Sequence, residues 1–310
     1  MKDLKQGRKL REKEMFDICV IGHITKDIIR IKNIEKEIPG GVGYYFSMAS
    51  KSLGSNACLI TKVANKEKSL LNDLMKSNVR IFYKESEKTT IFKNIYPENL
   101  DFRIQRVNSV AFPFNIEDVA NISAKIFHLG PITKDDIPLE ILKFLSKKSK
   151  VSLDVQGFLR EVDGREIKKI EWEEKEEGLF YVNILKMDEE EARILSRKRD
   201  VKEAAVELSK YGVNEIIITL GSKGSLVYSE RKFYPIPSFP AKKLVDATGC
   251  GDTYMAGYIY KRLKSSDIEE AGRFAAATAS LKLEESGPFK GTEEDVQNFL
   301  EFQSTKKIPK

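Results

Sequence analysis

The sequence predicts an α/β fold with a mostly parallel central sheet and a small β-sheet lid, and three observations support this. Short apolar runs closed by glycine or a polar turn alternate with stretches of helical spacing, the pattern of successive β–α–β units. Between Thr89 and Val110 that pattern gives way to polar/apolar alternation, which suits half-exposed antiparallel strands. With 310 residues, 41% hydrophobic and 32% charged, the chain can form one large domain, or one domain with a smaller satellite. Disordered, collagenous and disulfide-scaffold classes are excluded.

In chain order, Phe16-Asp-Ile-Cys-Val-Ile-Gly22 reads as a buried first strand. Residues 45–53 have helical spacing and stop at Gly54, 56–63 read as a strand, 66–77 as a helix and 79–83 as a strand. Residues 90–96 and 101–107 flank the turn-like Pro97-Glu-Asn99 and read as an antiparallel hairpin. With the extended segment 28–38 they build a small separate sheet, whose natural use is a lid over a cleft. Strands follow at 126–130, 150–154, 179–183 and 215–220, and helices at about 136–148, 188–196, 201–212, 252–264 and 267–283. A hairpin at 225–228 and 232–236 closes one edge, and there is no internal repeat or long linker. The expected domain is 15–303, with lid segments at about 28–44 and 84–110 and basic tails at 1–14 and 304–310.

The net charge of +6 hints at nucleic acid until its location is examined. Residues 1–14 carry six basic and three acidic side chains, and Lys306, Lys307 and Lys310 supply the rest of the excess, so the body between the tails is neutral. Phosphate-backbone binding needs clustered Lys and Arg on one face, and no nucleic-acid partner is expected. The first segment has no apolar region after its charges, and no run approaches the roughly 18 apolar residues of a membrane span. Cys19, Cys58 and Cys250 lie far apart without a C-x-x-C, which fits a reducing cytoplasm.

The most informative stretch is Val245-Asp-Ala-Thr-Gly-Cys-Gly-Asp-Thr-Tyr-Met-Ala-Gly257. Two glycines two residues apart allow a tight turn, and the helix that follows offers free N–H groups at its start, a nest for an anion such as phosphate. Asp252 in the first turn then sits beside the bound phosphate. A carboxylate there disfavours mere binding, and makes sense if it takes a proton from an attacking hydroxyl while the amides hold charge on the transferring phosphoryl group. In an isolated Gly-x-Gly-Asp it would simply cap its helix. There is no G-x-x-x-x-G-K-[ST], no dinucleotide fingerprint, no H-E-x-x-H and no G-x-S-x-G. His23 and His128 are the only histidines, too few for histidine-based metal or triad chemistry, and His128 reads as a structural hydrogen-bonder.

Asp246-Ala-Thr-Gly-Cys-Gly-Asp252 followed by Ala256-Gly257 resembles the D-T-x-G-A-G-D signature of the ribokinase/PfkB family of carbohydrate kinases. Pro39-Gly-Gly41 before a helix ending in Leu53-Gly54, Gly22-His-Ile-Thr-Lys-Asp27, Thr219-Leu-Gly-Ser-Lys-Gly224 and Ser286-Gly-Pro288 also match, in family order, over about 15–303. The resemblance implies a ribokinase-like three-layer α/β/α fold and phosphoryl transfer from ATP, with Mg²⁺ and in some members a monovalent cation, here near Asp246. Asp252 matches the catalytic base, and the amides of Gly249, Cys250 and Gly251 match the anion hole. Asp27 matches the acidic residue that bonds substrate hydroxyls, and Gly40 and Gly41 match the close backbone approach to the sugar. Thr219, Gly221, Gly224 and Thr248 fall on the ATP side.

Two departures bear on substrate and metal. Tyr45 stands where many members have an Asn that contacts a ribose hydroxyl. The usual N-x-x-E becomes Asp188-Glu-Glu-Glu191, in which Asp188 and Glu191 either organise Mg²⁺ through water or merely cap a helix. Lys150-Val-Ser-Leu-Asp-Val-Gln-Gly-Phe-Leu-Arg160 resembles the inositol-kinase-like branch, as do Gly22–Asp27, Trp172 within an acidic-basic helix, and Asp188. Gln156 and Arg160 thereby become candidates for the substrate side, or else only stabilise their loop. The expected substrate is a small neutral polyol or sugar, myo-inositol first. The rivals are a nucleoside kinase, which would need a base-binding cluster such as Phe92 and Tyr96, and a non-catalytic sugar- or nucleotide-binding regulator. Exposed edges of the hairpin at 89–107 would allow a homodimer through the lid.

Overall fold

The computed structural model describes residues 15–31, 34–96 and 104–305. Residues 1–14 and 306–310 of the expected tails and the 97–99 turn lie outside them. In chain order the elements begin with β1 (Met15–Ile21), β2 (Thr25–Ile31), β3 (Ile34–Gly40), α1 (Val42–Ser52) and β4 (Ala57–Val63). After a 3₁₀ turn at Asn65–Leu71 come α2 (Asn72–Lys76), β5 (Arg80–Glu85), β6 (Thr90–Tyr96), β7 (Ile104–Ser109) and α3 (Ile116–Val119). The second half starts with β8 (Ser123–Leu129), α4 (Leu139–Ser146), β9 (Lys150–Asp154), β10 (Arg160–Asp163), β11 (Glu166–Lys169) and α5 (Lys175–Phe180). Next are β12 (Ile184–Asp188), α6 (Glu189–Ser196), α7 (Val201–Ser209), β13 (Glu215–Thr219), β14 (Ser225–Ser229) and β15 (Lys232–Ile236). Three helices close the fold: α8 (Cys250–Arg262), α9 (Ile268–Leu283) and α10 (Glu293–Thr305), the last running through Thr305 into the stretch expected to be tail.

Nine strands form the main sheet in the order β15-β14-β13-β12-β9-β8-β1-β4-β5, parallel except for the β14–β15 hairpin at one edge. Successive residues of β1 serve opposite faces: Ile18 and Val20 pack with α1, α8 and α9, while Cys19 and Ile21 pack with α4, the 3₁₀ turn Val155–Leu159 and the helices α5 to α7. That two-sided burial explains why its core strands are nearly continuous apolar runs. The parallel strands all end at one edge of the sheet, the edge where α/β folds place ligands. Gln156, Asp188 and Thr219 lie at or just beyond strand ends on that edge, and Asp27 lies in β2, the strand that follows β1.

A second sheet, β3-β2-β6-β7, stands over this edge. β2 pairs with β3 and β6 with β7 antiparallel, but β2 and β6 run parallel, so it is mixed rather than wholly antiparallel. Its register puts Asp27, Phe92 and Ile38 on one face, together with Ile29, Asn94 and Lys36.

Four local expectations are corrected. The strand placed at 179–183 is one element early: α5 occupies 175–180 with Phe180 70% exposed, and the buried run is Ile184-Leu-Lys-Met187 in β12. A short apolar run has no period that separates strand from helix. Trp172 lies in the turn before α5 rather than within a helix. Residues 66–77 form a 3₁₀ turn and a single α turn. The β10–β11 hairpin was not anticipated; its Arg165 carbonyl accepts from the Val107 N–H, so the β7 edge that looked open is met by the chain itself.

Candidate active site

The loop into α8 is built by its own polar groups. Asp246 Oδ1 accepts from the Thr248 N–H at 2.9 Å, and Gly249 takes φ +74°, a conformation that favours glycine. A Cβ at Gly249 would also fall inside the Tyr45 ring, which lies against the loop. The Cys250 N–H donates to the Ala247 carbonyl at 3.2 Å and is engaged within the turn, a correction to the three-amide anion hole. Among the described residues the N–H groups of Gly249, Gly251 and Asp252 have no such partner, and they stand at the positive end of a 13-residue helix. Burial pushes the Cys250 thiol up to about 11, so it is not a nucleophile at neutral pH.

Asp252 is half-buried. Its carboxyl is pushed up to about 7, first by burial and then by Asp154, while Lys186 opposes the shift. Lys186, on β12, and Asp154, at the end of β9, are residues that sequence reading missed. Lys186 Nζ donates to Asp154 Oδ2 at 2.8 Å, and a methyl placed on Gly251 would come within 3.1 Å of that ammonium. Burial alone would push Lys186 down, but Asp154 and Glu191 hold it above its ordinary value. The available signal was a lysine inside a strand buried on both faces.

The opposite wall comes from β2 and the start of α1. Asp27 is buried and accepts from Thr25 Oγ1 at 2.7 Å. A Cβ at Gly40 would lie 2.6 Å from Asp27 Oδ2, and one at Gly41, which has φ +82°, 2.5 Å from the His23 carbonyl, so both positions need glycine for close approach. Tyr45 is 2% exposed, and its hydroxyl has no hydrogen-bond partner among the described residues. Burial does most to make the phenol harder to ionise, followed by the fields of Asp246, Asp27 and Asp252. The loop carboxylates Asp246 and Asp252 and the distant Asp27 therefore all bear on one phenol. A cavity of about 830 Å³ opens here between Ile29, Ile34 and Ile38 of the small sheet and Tyr44, Tyr45 and Met48 of α1.

A second cavity of about 430 Å³ brings together Gln156, Arg160, Asp188 and Glu191 with Gln105 of the small sheet. Gln105 also donates to buried Asn94 at 3.0 Å. The turn carrying Gln156 and Arg160 is anchored by Phe158, which stacks on Trp172 at 4.2 Å with rings 2° from parallel. Asp188 accepts from the Glu191 N–H at 2.7 Å and Glu191 from the Asp188 N–H at 2.8 Å, a reciprocal N-cap of α6. Capping engages one oxygen of each carboxylate. An all-oxygen pair beside a polar cavity fits a hydrated divalent ion held through water.

On the far side of α8, Thr219 ends β13 with its hydroxyl 3.4 Å from the Met187 carbonyl, and Gly221 and Gly224 bracket the next 3₁₀ turn. The monovalent cation implied beside Asp246 does not fit, because that position is held by Lys282. Its fully buried ammonium donates to the Asp246 carbonyl at 2.7 Å and lies 3.3 Å from Oδ2. His128 bonds Ser152 at 3.0 Å and stacks on Phe46, the structural role expected. Phe92 is buried with Val107 and Ile132 and is not available for base stacking, whereas the Tyr96 side chain lies outside the described residues. No helix among the described residues is long and apolar enough to cross a membrane.

Comparison with known proteins agrees with this geometry. Residues 15–295 match the pattern described as pfkB family carbohydrate kinase. A cytidine kinase of Thermococcus kodakarensis is 29% identical over 292 residues, 88% of this chain and 98% of that protein. A nucleoside kinase of Methanocaldococcus jannaschii is 27% identical over 301 residues, 88% of this chain and 92% of that protein. A solved pyrophosphate-dependent kinase in the ribokinase family, complexed with a pyrophosphate analog and myo-inositol, superposes with a TM-score of 0.82 at 29% identity, covering 91% of this chain and 99% of its own.

Proposed function

The chain belongs to the pfkB family of carbohydrate kinases, phosphotransferases with hydroxyl acceptors, and from that premise we propose that it moves the γ-phosphoryl group of ATP to a hydroxyl of a small neutral polyol or sugar, myo-inositol first. The observation that carries the reading is the meeting of Asp27 and Asp252 around the unpartnered Tyr45 hydroxyl, beside the open amides of Gly249 and Gly251. Asp27 orients the acceptor, and Tyr45 offers a hydroxyl in place of the missing amide. Asp252, poised near neutrality, takes the acceptor proton as the oxygen attacks in line. The amides hold the charge that develops on the phosphoryl group. Lys186 keeps Asp154 from pushing Asp252 higher still. A divalent ion held through water by Asp188 and Glu191 would offset charge on the donor phosphates. The small sheet acts as the lid that excludes water from the cleft. A homodimer through this lid would use the β3 edge, and the mass in solution tests it.

A second reading, a nucleoside acceptor, is favoured by the 830 Å³ cavity, whose isoleucines and tyrosines could receive a flat base, and by the names of the two relatives. The deciding experiment presents myo-inositol, ribose, fructose, cytidine and adenosine, each with ATP or with pyrophosphate, and measures phosphorylated product. Preferred turnover of myo-inositol supports the first reading, and preferred turnover of cytidine or adenosine replaces it with the second. Tight binding of any member without product from any pair would turn the reading to a sugar- or nucleotide-binding regulator.

A further inference from the structure

Three segments that shape the cleft converge on one buried ammonium. Lys282 lies in the last turn of α9 with its side chain wholly excluded from solvent. Its Nζ donates to the Asp246 carbonyl at 2.7 Å and faces Asp246 Oδ2 at 3.3 Å. That same Oδ2 accepts from the Gly287 N–H at 3.3 Å, which brings in the 286–288 loop. The ammonium also stands over the Tyr45 ring, 6.0 Å from its centre. The carbonyl of Leu283, at the negative end of α9, accepts from Val245 and Asp246, so a carboxylate, a carbonyl and a helix C-terminus are gathered where the anion-hole loop begins. Such a cluster requires a cation.

We propose that Lys282 is a built-in substitute for a free monovalent cation, a positioning residue that sets the 245–251 loop and leaves phosphoryl transfer independent of K⁺ and Na⁺. An ammonium group is close to K⁺ in size and binds oxygen ligands at similar reach, but here it is tethered to the helix and is always present. A free cation could join the same oxygens only against the repulsion of the lysine. The activity consequence rests on the kinase reading, whereas the binding consequence does not.

The test compares the full-length protein with Lys282→Met and Lys282→Gln in sodium, potassium, ammonium and tetramethylammonium chloride at one ionic strength. Turnover and melting temperature are both read. Wild-type turnover should vary less than about twofold among the salts, and its melting temperature should not single out K⁺. Lys282→Met should lose about 10²-fold in kcat in tetramethylammonium, recover at least tenfold with K⁺ or ammonium, and melt higher with those ions alone. Lys282→Gln, which keeps a donor without the charge, should show the same cation rescue. Tenfold activation of the wild type by K⁺ would overturn the proposal, and that arm needs no variant. So would folded variants that stay fully active in tetramethylammonium, or that no cation rescues by either readout. A wild type that phosphorylates none of the acceptors removes the kinase reading, while the melting arms still decide the role of Lys282.

Discussion

Replacing Asp252 by Asn removes the proposed base while keeping its shape, and the environment of the carboxyl sets two separate magnitudes. A positioned general base contributes roughly 10²–10⁴ in rate, so kcat should fall by that factor with donor binding little changed. In the wild type, a group titrating at about 7 should make kcat/KM rise roughly tenfold between pH 6 and pH 8, and the variant should lack that rise. The second magnitude concerns stability. The folded-state value lies above the ordinary 3.8, so the native protein retains a proton that the unfolded chain has lost. Stability therefore falls as pH rises from about 4 to about 7. Three units at 1.36 kcal/mol each set a ceiling of about 4 kcal/mol on that loss. The residue is only half-buried, and about half the ceiling is the fair expectation. Asn has no proton to lose, so at pH 8 Asp252→Asn should melt roughly three degrees higher than the wild type, with the gap closing toward pH 4. Coupled-enzyme kinetics and calorimetry across this range check both effects. A variant that turns over at the wild-type rate, or that melts lower at pH 8 than at pH 4 by the same margin as the wild type, would refute the reasoning.

Other residues of the cleft give further expectations. Lys186→Met removes the one group that lowers Asp252, so the acid limb of the pH–rate profile should move above 7, and the stranded Asp154 should cost about 3–5 kcal/mol of stability in chemical denaturation; an unmoved acid limb would contradict the link between the two. Tyr45→Phe deletes a buried hydroxyl with no partner, so stability should hold or rise slightly while KM for the acceptor increases several-fold; an unchanged KM would mean that the phenol does not touch the acceptor. Gly40→Ala drives a methyl into Asp27, so acceptor affinity measured by calorimetry should drop at least tenfold with donor affinity intact; normal acceptor binding would remove Asp27 from the substrate wall.

Motifs that act through the backbone were legible in the sequence. Gly249-Cys-Gly-Asp252 and Gly40-Gly41 announce themselves because only glycine suits the positive φ at 249 and 41 and the close approach at 40. The β–α alternation was legible for the same reason, since strands buried on both faces leave long apolar runs. The strand at 184–188 was not. The apolar run Leu179-Phe-Tyr-Val182 lies just before it, and neither has a period that distinguishes a turn of helix from a strand. That misplacement left Lys186 outside any strand and removed the reason to ask what neutralises a buried lysine.

By itself, then, the sequence determined the fold class and, as a candidate site, the glycine turn and its aspartate, because these rest on local backbone rules within a few residues. Only the tertiary structure decided what surrounds that aspartate. Asp154 and Lys186 come from neighbouring strands, Tyr45 comes from a helix some 200 residues earlier, and Lys282, which holds Asp246 at the start of the turn, comes from α9, the second helix after it. It also decided that the Cys250 amide is taken by its own turn and that Asp188 and Glu191 cap each other. The reason is physical: burial and the fields of nearby charges set the acidity of Asp252 and the need for a cation at Asp246, and both depend on distances that no spacing along the chain encodes.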